Sequence, residues 1–180
     1  MGYPILFLDR DGVINRDDGF VIKKDKFIFN PEIFEICKIA KNFGFNVVVV
    51  TNQSGIGRKK FTVEEFQKLT LWMLEKFTRE DVRIEIVLAS ALSPELINPS
   101  NFELFRRKPG HGLFFDASEV LPIDFKDSIM IGDKISDAKA AYNAGIRKIL
   151  LVGENDSTEV PFRPFKNLQE LLNEFKSLVG

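Results

Sequence analysis

The sequence predicts an α/β fold: a three-layer arrangement in which a parallel sheet of about five strands is flanked by helices on both faces. Three observations carry this. Short apolar runs alternate with amphipathic helical segments along the 180 residues. The apolar runs are too short for helices and rich in β-branched residues, as strands buried on both faces are. Several of them end in turns of Asp, Gly, Thr and Ser, as expected at the carboxyl edge of an open sheet, where ligands bind.

Each element has its own warrant. Pro4 to Leu8 is a continuous apolar run, closed by the turn at Asp11-Gly12. Pro31 to Phe43 places Ile33, Phe34, Ile36, Cys37, Ile39, Ala40 and Phe43 at helical spacing, and Gly44 supplies the stop. Phe45 to Thr51 is the clearest buried strand, β-branched through its centre. Thr62-x-x-Glu65 is a capping box that opens a helix to Thr78, with Phe66, Leu69, Trp72, Met73 and Phe77 on one face. Ile84 to Leu88 reads as a third strand. Ser90 to Arg107, with Pro94, Pro99 and mixed polarity, reads as an excursion from the surface. A helix over Gly112 to Leu121 and a fourth strand over Ser128 to Ile131 follow. A helix from Ser136 to Asn143, a fifth strand from Lys148 to Val152 and an amphipathic helix from Asn167 to Leu178 complete the chain. With no repeat or linker, residues 1–180 read as one domain.

Composition excludes several classes of function. A net charge of −1 gives no global field for nucleic acid or anionic membrane. Cys37 and His111 are the only residues of their types, so a disulfide framework or a Cys/His zinc site within the chain is excluded. Cys37 reads as a small core residue and His111 as a capping or surface residue. No apolar run approaches the ~20 residues of a spanning helix. Met1-Gly2 is followed by Leu6 where myristoylation requires Ser or Thr, and no signal peptide is evident. The expectation is a soluble, cytoplasmic monomer without nucleic-acid or membrane partners.

Four turns carry chemistry. Asp9-x-Asp11-Gly12 brings two carboxylates to the end of the first strand, where their repulsion calls for a cation such as Mg²⁺. Thr51-Asn52-Gln53-Ser54-Gly55 offers hydroxyl, amide and backbone donors to an anion. Arg107-Lys108-Pro109-Gly110 adds fixed positive charge, and Gly132-Asp133-Lys134-x-Ser136-Asp137 adds carboxylates. Taken singly, each is ordinary: Asp-Gly after a strand is usually a turn, and Asp133 or Asp137 suits a helix N-cap. Together they make a set for phosphoryl transfer.

In this order, the four motifs resemble those of the haloacid dehalogenase-like phosphatase superfamily. The longer strings Phe7 to Asn15, Thr51 to Ile56, Arg107-Lys108-Pro109 and Gly132-Asp133-Lys134 resemble the D-glycero-D-manno-heptose-1,7-bisphosphate phosphatases and their relatives, the histidinol-phosphate phosphatases. The likeness extends through Asp17 to Phe20 and Phe61-Thr62. It implies a Rossmann-like sheet with little or no cap, and hydrolysis of a small sugar bisphosphate through an aspartyl-phosphate. By this resemblance Asp9 is the nucleophile, and Asp11 is the acid for the leaving alkoxide and then the base for water. Mg²⁺ would be held by Asp9, the Asp11 carbonyl and Asp133, with Asp137 in support. Thr51 and Lys108 would bind the transferring phosphoryl group. Asn52, Gln53, Ser54, Arg107 and the turn Asp17-Gly19-Phe20 would face phosphate or substrate, and Lys134 would neutralise carboxylates or touch the substrate. Arg58 and Lys59 are candidates for a distal phosphate.

One departure matters. Many members carry a zinc loop of Cys-x-His and Cys-x-Cys before Arg-Lys-Pro. Here Ala89, Ala91, Leu104 and Arg106 stand at those places, so no zinc is expected, and packing by Phe102, Leu104 and Phe105 would hold the loop instead. Histidinol-phosphate phosphatase is the alternative activity. A catalytically idle binding domain is the alternative of another class, though Asp9, Asp11 and Asp133 are all present. A DNA 3′-phosphatase is disfavoured because the chain has no extended basic strip.

Overall fold

The alternation of β-branched runs and amphipathic segments produces a sheet buried on both faces. The computed structural model describes residues 2–96 and 98–180. Its strands are β1 (Ile5–Leu8), β2 (Asn46–Asn52), β3 (Ile84–Ser90), β4 (Ile129–Gly132), β5 (Lys148–Val152) and β6 (Arg163–Phe165). They form one sheet of order β3-β2-β1-β4-β5-β6, and every neighbouring pair is parallel. The helices are α1 (Glu32–Asn42), α2 (Ser54–Gly57), α3 (Val63–Arg79), α4 (Asn101–Arg106), α5 (Gly112–Ser118), α6 (Ile135–Asn143) and α7 (Leu168–Val179).

The two-residue period of a strand divides the core. Leu6, Leu8, Val47, Val49, Ile129 and Ile131 pack with α1, α3 and α7 on one face. Ile5, Phe7, Val48, Val50, Met130 and Ile149 pack with α5 and α6 on the other. Cys37 lies in the first of these layers, fully buried. Among the described residues no helix is long and apolar enough to cross a membrane.

Topology places the site. From β1 the chain builds outward through β2 and β3, then returns to lay β4 on the other side of β1. The strand order therefore reverses beside β1, the position where the carboxyl ends of an open α/β sheet form a crevice. The turns after β1, β2 and β4 meet there.

The structure corrects several expectations. The sheet has six strands, not five. The added β6 is a three-residue edge strand with Pro164 at its centre, tolerated because an edge position does not require every N–H. The excursion 90–107 contains α4, whose N-terminus is closed by a capping box between Ser100 and Glu103; Ile97 of that excursion lies outside the described residues, as does Met1. Phe102 and Leu104 are exposed and do not hold the loop. Phe105 does, packing edge-on to His111 at 4.8 Å between ring centroids, with Gly112 leaving room for its ring. His111 makes no side-chain cap bond and sits between Phe105 and Phe115. The helix expected to reach Leu121 stops at Ser118.

Candidate active site

β1 delivers Asp9 to the crevice. The Asp9 N–H donates to the Ile131 carbonyl at 3.0 Å, so the residue is pinned to β4 as it leaves β1. Three residues on, Gly12 adopts φ +88°, and a Cβ there would lie 2.3 Å from Asp133 Oδ2. Only glycine lets the first turn close against the fourth-strand turn. That contact brings one carboxylate oxygen each of Asp9, Asp133 and Asp137 within 4.8 Å of one another.

Lys108 is the counter-charge, and its side chain and that of Asp137 are each only 1 % exposed. Its Nζ lies 3.0 Å from Asp9 Oδ1 and 2.6 Å from Asp137 Oδ1, and donates to the Val50 carbonyl at 2.8 Å. Burial alone would lower the Lys108 pKa, but Asp137 and Asp9 more than offset it, and the ammonium is held above its usual range. Asp137 Oδ2 accepts from the N–H groups of Asp133 and Lys134, closing the first turn of α6. Asp137 thus stands beside Asp9 and Asp133, with one oxygen on Lys108 and the other on main-chain N–H groups.

One ammonium does not balance three carboxylates. Burial pushes the Asp9 pKa up; Lys108 opposes this and Asp137 reinforces it. The Asp133 carboxyl is pushed up to about 7, first by burial and then by Asp9 and Asp137. Asp133 Oδ1 is buried without a hydrogen-bond partner. A missing partner and excess negative charge on oxygen ligands fit a hard divalent cation such as Mg²⁺.

Asp11 sits apart from this cluster in a cage of donors. Its Oδ1 accepts from Arg10 Nε at 3.1 Å, Arg10 Nη2 at 2.8 Å and Asn15 Nδ2 at 3.0 Å. Its Oδ2 accepts from Gln53 Nε2 at 2.8 Å. Arg10, 2 % exposed, also donates to the Val21 carbonyl and lies against the rings of Phe27 and Phe66. It is a buried cation whose carboxylate partner is Asp11. Gln53 Nε2 bridges further to Thr51 Oγ1 at 2.9 Å. Thr51 is itself buried, and its hydroxyl proton remains available to donate.

A cavity of about 480 Å³ opens over these residues, lined by Asp9, Asp11, Gln53, Ser54, Arg107 and Lys108 among others. Asp17, Gly19 and Phe20 form one wall and Lys134 another, joined by an ion pair of 2.9 Å between Lys134 Nζ and Asp17 Oδ2. Asn52 lines the cavity too, with its amide turned to the main chain of Lys108. Arg107 donates from Nη1 to the Leu92 carbonyl and has no carboxylate partner among the described residues. Its pKa is lowered by burial and then by Arg58. Arg58 lies over the Phe20 ring and pairs with Glu95, whereas Lys59 is exposed and outside the cavity lining. A second cleft of about 540 Å³ opens on the far side of Asp133, but neither Asp9 nor Lys108 reaches it.

Sequence reasoning missed the cage around Asp11. Arg10 and Asn15 lie inside the quoted Asp9 motif, yet only the fold shows that both side chains turn back on Asp11. It also missed Asn155, whose Nδ2 donates to the Asp133 carbonyl from the loop after β5. A lone Asn in a polar loop gives no signal of that role.

Comparison with known proteins places the chain in a family. The HAD-hydrolase-like family model matches residues 105–172. The chain is 40 % identical over 171 residues to the D-glycero-alpha-D-manno-heptose-1,7-bisphosphate 7-phosphatase of Campylobacter jejuni, covering 95 % of each chain. It is also 40 % identical to the D-glycero-beta-D-manno-heptose-1,7-bisphosphate 7-phosphatase of Escherichia coli K12, covering 83 % of this chain and 78 % of that one. The solved D,D-heptose 1,7-bisphosphate phosphatase of B. bronchiseptica, a complex with magnesium and phosphate, shares the fold with a TM-score of 0.80. That match has 23 % identity and covers 97 % of this chain and 99 % of that one. The chain belongs to the heptose-1,7-bisphosphate 7-phosphatase family of HAD-like phosphoric monoester hydrolases.

Proposed function

We propose that this chain removes the 7-phosphate of a D-glycero-D-manno-heptose 1,7-bisphosphate, leaving the heptose 1-phosphate. The observation that supports this best is the floor of the cavity. There a carboxylate nucleophile, a buried ammonium and two further carboxylates converge beneath a mouth that carries Arg107.

In this reading an Asp9 oxygen attacks phosphorus, forming the aspartyl-phosphate as the bond to the sugar oxygen breaks. Asp11 gives its proton to that oxygen, because a sugar alkoxide leaves poorly at neutral pH. Asp11 then takes a proton from the water that attacks the aspartyl-phosphate, releasing phosphate and restoring Asp9. The donor cage of Arg10, Asn15 and Gln53 fixes the direction in which Asp11 points. Lys108, already 3.0 Å from Asp9 Oδ1, stands beside the phosphoryl oxygens, and the Thr51 hydroxyl supplies a further donor. Asp9, Asp133 and the Asp11 carbonyl, with Asp137 in support, would hold Mg²⁺, which would offset the charge of both the carboxylates and the phosphoryl group. Asp17, Gly19, Phe20, Ser54 and Lys134 shape the sugar side of the cavity.

The cavity is complete within one chain, which supports action as a monomer. Segment 89–106 holds no Cys or His, and elemental analysis of protein purified without a metal-affinity tag is expected to find no stoichiometric zinc.

The test is turnover by the purified protein with Mg²⁺ on both anomers of the heptose bisphosphate, histidinol phosphate and fructose 1,6-bisphosphate. The heptose compounds should give the highest kcat/KM. Asp9→Asn, nearly isosteric but unable to attack phosphorus, should fold normally and lose about 10⁴-fold or more. A preference for histidinol phosphate would overturn the substrate, and turnover by folded Asp9→Asn would overturn the nucleophile.

A further inference from the structure

Lys108 belongs to no helix or strand, yet its ammonium is aimed at Asp9 with little freedom. The three positions around Nζ are taken by Asp9, Asp137 and the Val50 carbonyl, so a small displacement of the backbone would break the set. What fixes that backbone is the side chain of Asn52, at the end of β2. Its Nδ2 donates to the Lys108 carbonyl at 3.0 Å, and the Lys108 N–H donates to its Oδ1 at 3.1 Å. The main chain of Lys108 makes no other hydrogen bond among the described residues. A side-chain amide thus plays the part of a neighbouring strand for one residue, across a separation of 56 residues.

We propose that Asn52 is a positioning residue that acts through Lys108, and not a ligand of the sugar. Without the paired bonds, water competes for the Lys108 main chain and the ammonium leaves its place beside the reacting group. A misplacement of roughly 1 Å is enough to cost up to 10²-fold in rate. The inference rests on Lys108 serving the phosphoryl group, but it is independent of which sugar carries that group.

The test is a double-mutant cycle of Asn52→Ala and Lys108→Met, read on kcat/KM for 4-nitrophenyl phosphate and on the affinity for inorganic phosphate. The phosphate arm remains measurable where turnover is too slow. Asn52→Ala should lose about tenfold in the native background and less than about twofold when Lys108 is already Met. The loss should be the same for a sugar bisphosphate as for the aryl ester. Asn52→Asp keeps the shape but sets an anionic oxygen against the Lys108 carbonyl, so it should lose at least as much. It also serves if the alanine variant does not fold. Equal losses in the two backgrounds, or a loss confined to the sugar substrate, would overturn the proposal. Turnover of the aryl ester without turnover of the heptose compounds would refute the substrate assignment alone, leaving this cycle readable.

Discussion

Asp11 shows what a single side chain is asked to do. Both of its oxygens are occupied by donors, and Arg10, buried behind it, has no other carboxylate partner among the described residues. Asp11→Asn therefore has two consequences. In the proposed mechanism it removes the proton that a sugar alkoxide needs, and it leaves Arg10 as an uncompensated buried cation, at a cost of about 3 kcal/mol in stability. Comparing kcat/KM for an alkyl and an aryl phosphate in the same variant separates the two, because the structural cost is common to both substrates. The alkyl ester should lose about tenfold or more beyond the aryl ester. Equal losses would assign Asp11 to geometry alone. Asp133 gives a second residue-scale prediction. Its pKa rises to about 7 in the fold, through burial and the nearby Asp9 and Asp137, with Lys108 and Lys134 only partly opposing. The folded state thus favours the protonated acid, and in chelator stability falls as pH rises from the ordinary carboxylate range through about 7. The melting temperature should drop by several degrees across that window, Asp133→Asn should flatten the dependence, and Mg²⁺ should restore stability at the alkaline end. The residues at strand ends were legible because their types are unusual in sequence: two acids around one turn, or hydroxyl and amide runs after apolar ones. The donor cage was not, because Arg10, Asn15 and Gln53 face Asp11 only once three segments have packed.

Elements were legible in proportion to how much of their stability is local. The strands β1, β2, β4 and β5 and the helices α1, α3 and α7 announce themselves by periodicity, caps or β-branched runs. The missed elements are short. β6 is three residues with a proline, and it exists because β5 offers it an edge. α4 is six residues without a buried side chain, but Ser100-x-x-Glu103 repeats the capping pattern that was read correctly at Thr62-x-x-Glu65. In the sequence that cue is masked by Pro94 and Pro99 before it and by mixed polarity on either side of it. The turn after β1 yields a prediction at this scale. A Cβ on Gly12 meets Asp133 Oδ2 at 2.3 Å, and φ +88° already disfavours any other residue. Gly12→Ala should push the turns after β1 and β4 apart, destabilising the protein by about 1–3 kcal/mol and raising the Mg²⁺ concentration needed for half-maximal stabilisation. Mg²⁺-dependent melting curves measure both. An unchanged Mg²⁺ midpoint would mean that the carboxylate cluster does not depend on this close approach.

Charge is the property that differs most between the whole molecule and its site. A chain of net charge −1 has no long-range attraction for an anionic substrate, so recognition has to come from fields confined to the mouth of the cavity. Lys108 is committed to the floor, where it meets Asp9 and Asp137. Arg107, the next residue in the chain, lines the same cavity, spends one donor on the Leu92 carbonyl and has no carboxylate partner among the described residues. Arg58 stands close enough to lower its pKa, but Arg58 is itself paired with Glu95, so Arg107 is the guanidinium at the mouth that lacks a carboxylate partner among the described residues. A planar fork suits a phosphate better than an ammonium does. Arg107 thus places one unpaired positive charge at the mouth, apart from the Lys108 ammonium on the floor, which is the physical reason to expect a second phosphate there. Arg107→Ala should cost about 2 kcal/mol in kcat/KM for the heptose bisphosphate and little for a monophosphate ester of similar size. Added salt should weaken the native preference, because this contact is only partly buried. If both substrates lose equally, Arg107 serves the reacting phosphate, and the preference for a second phosphate must come from another residue.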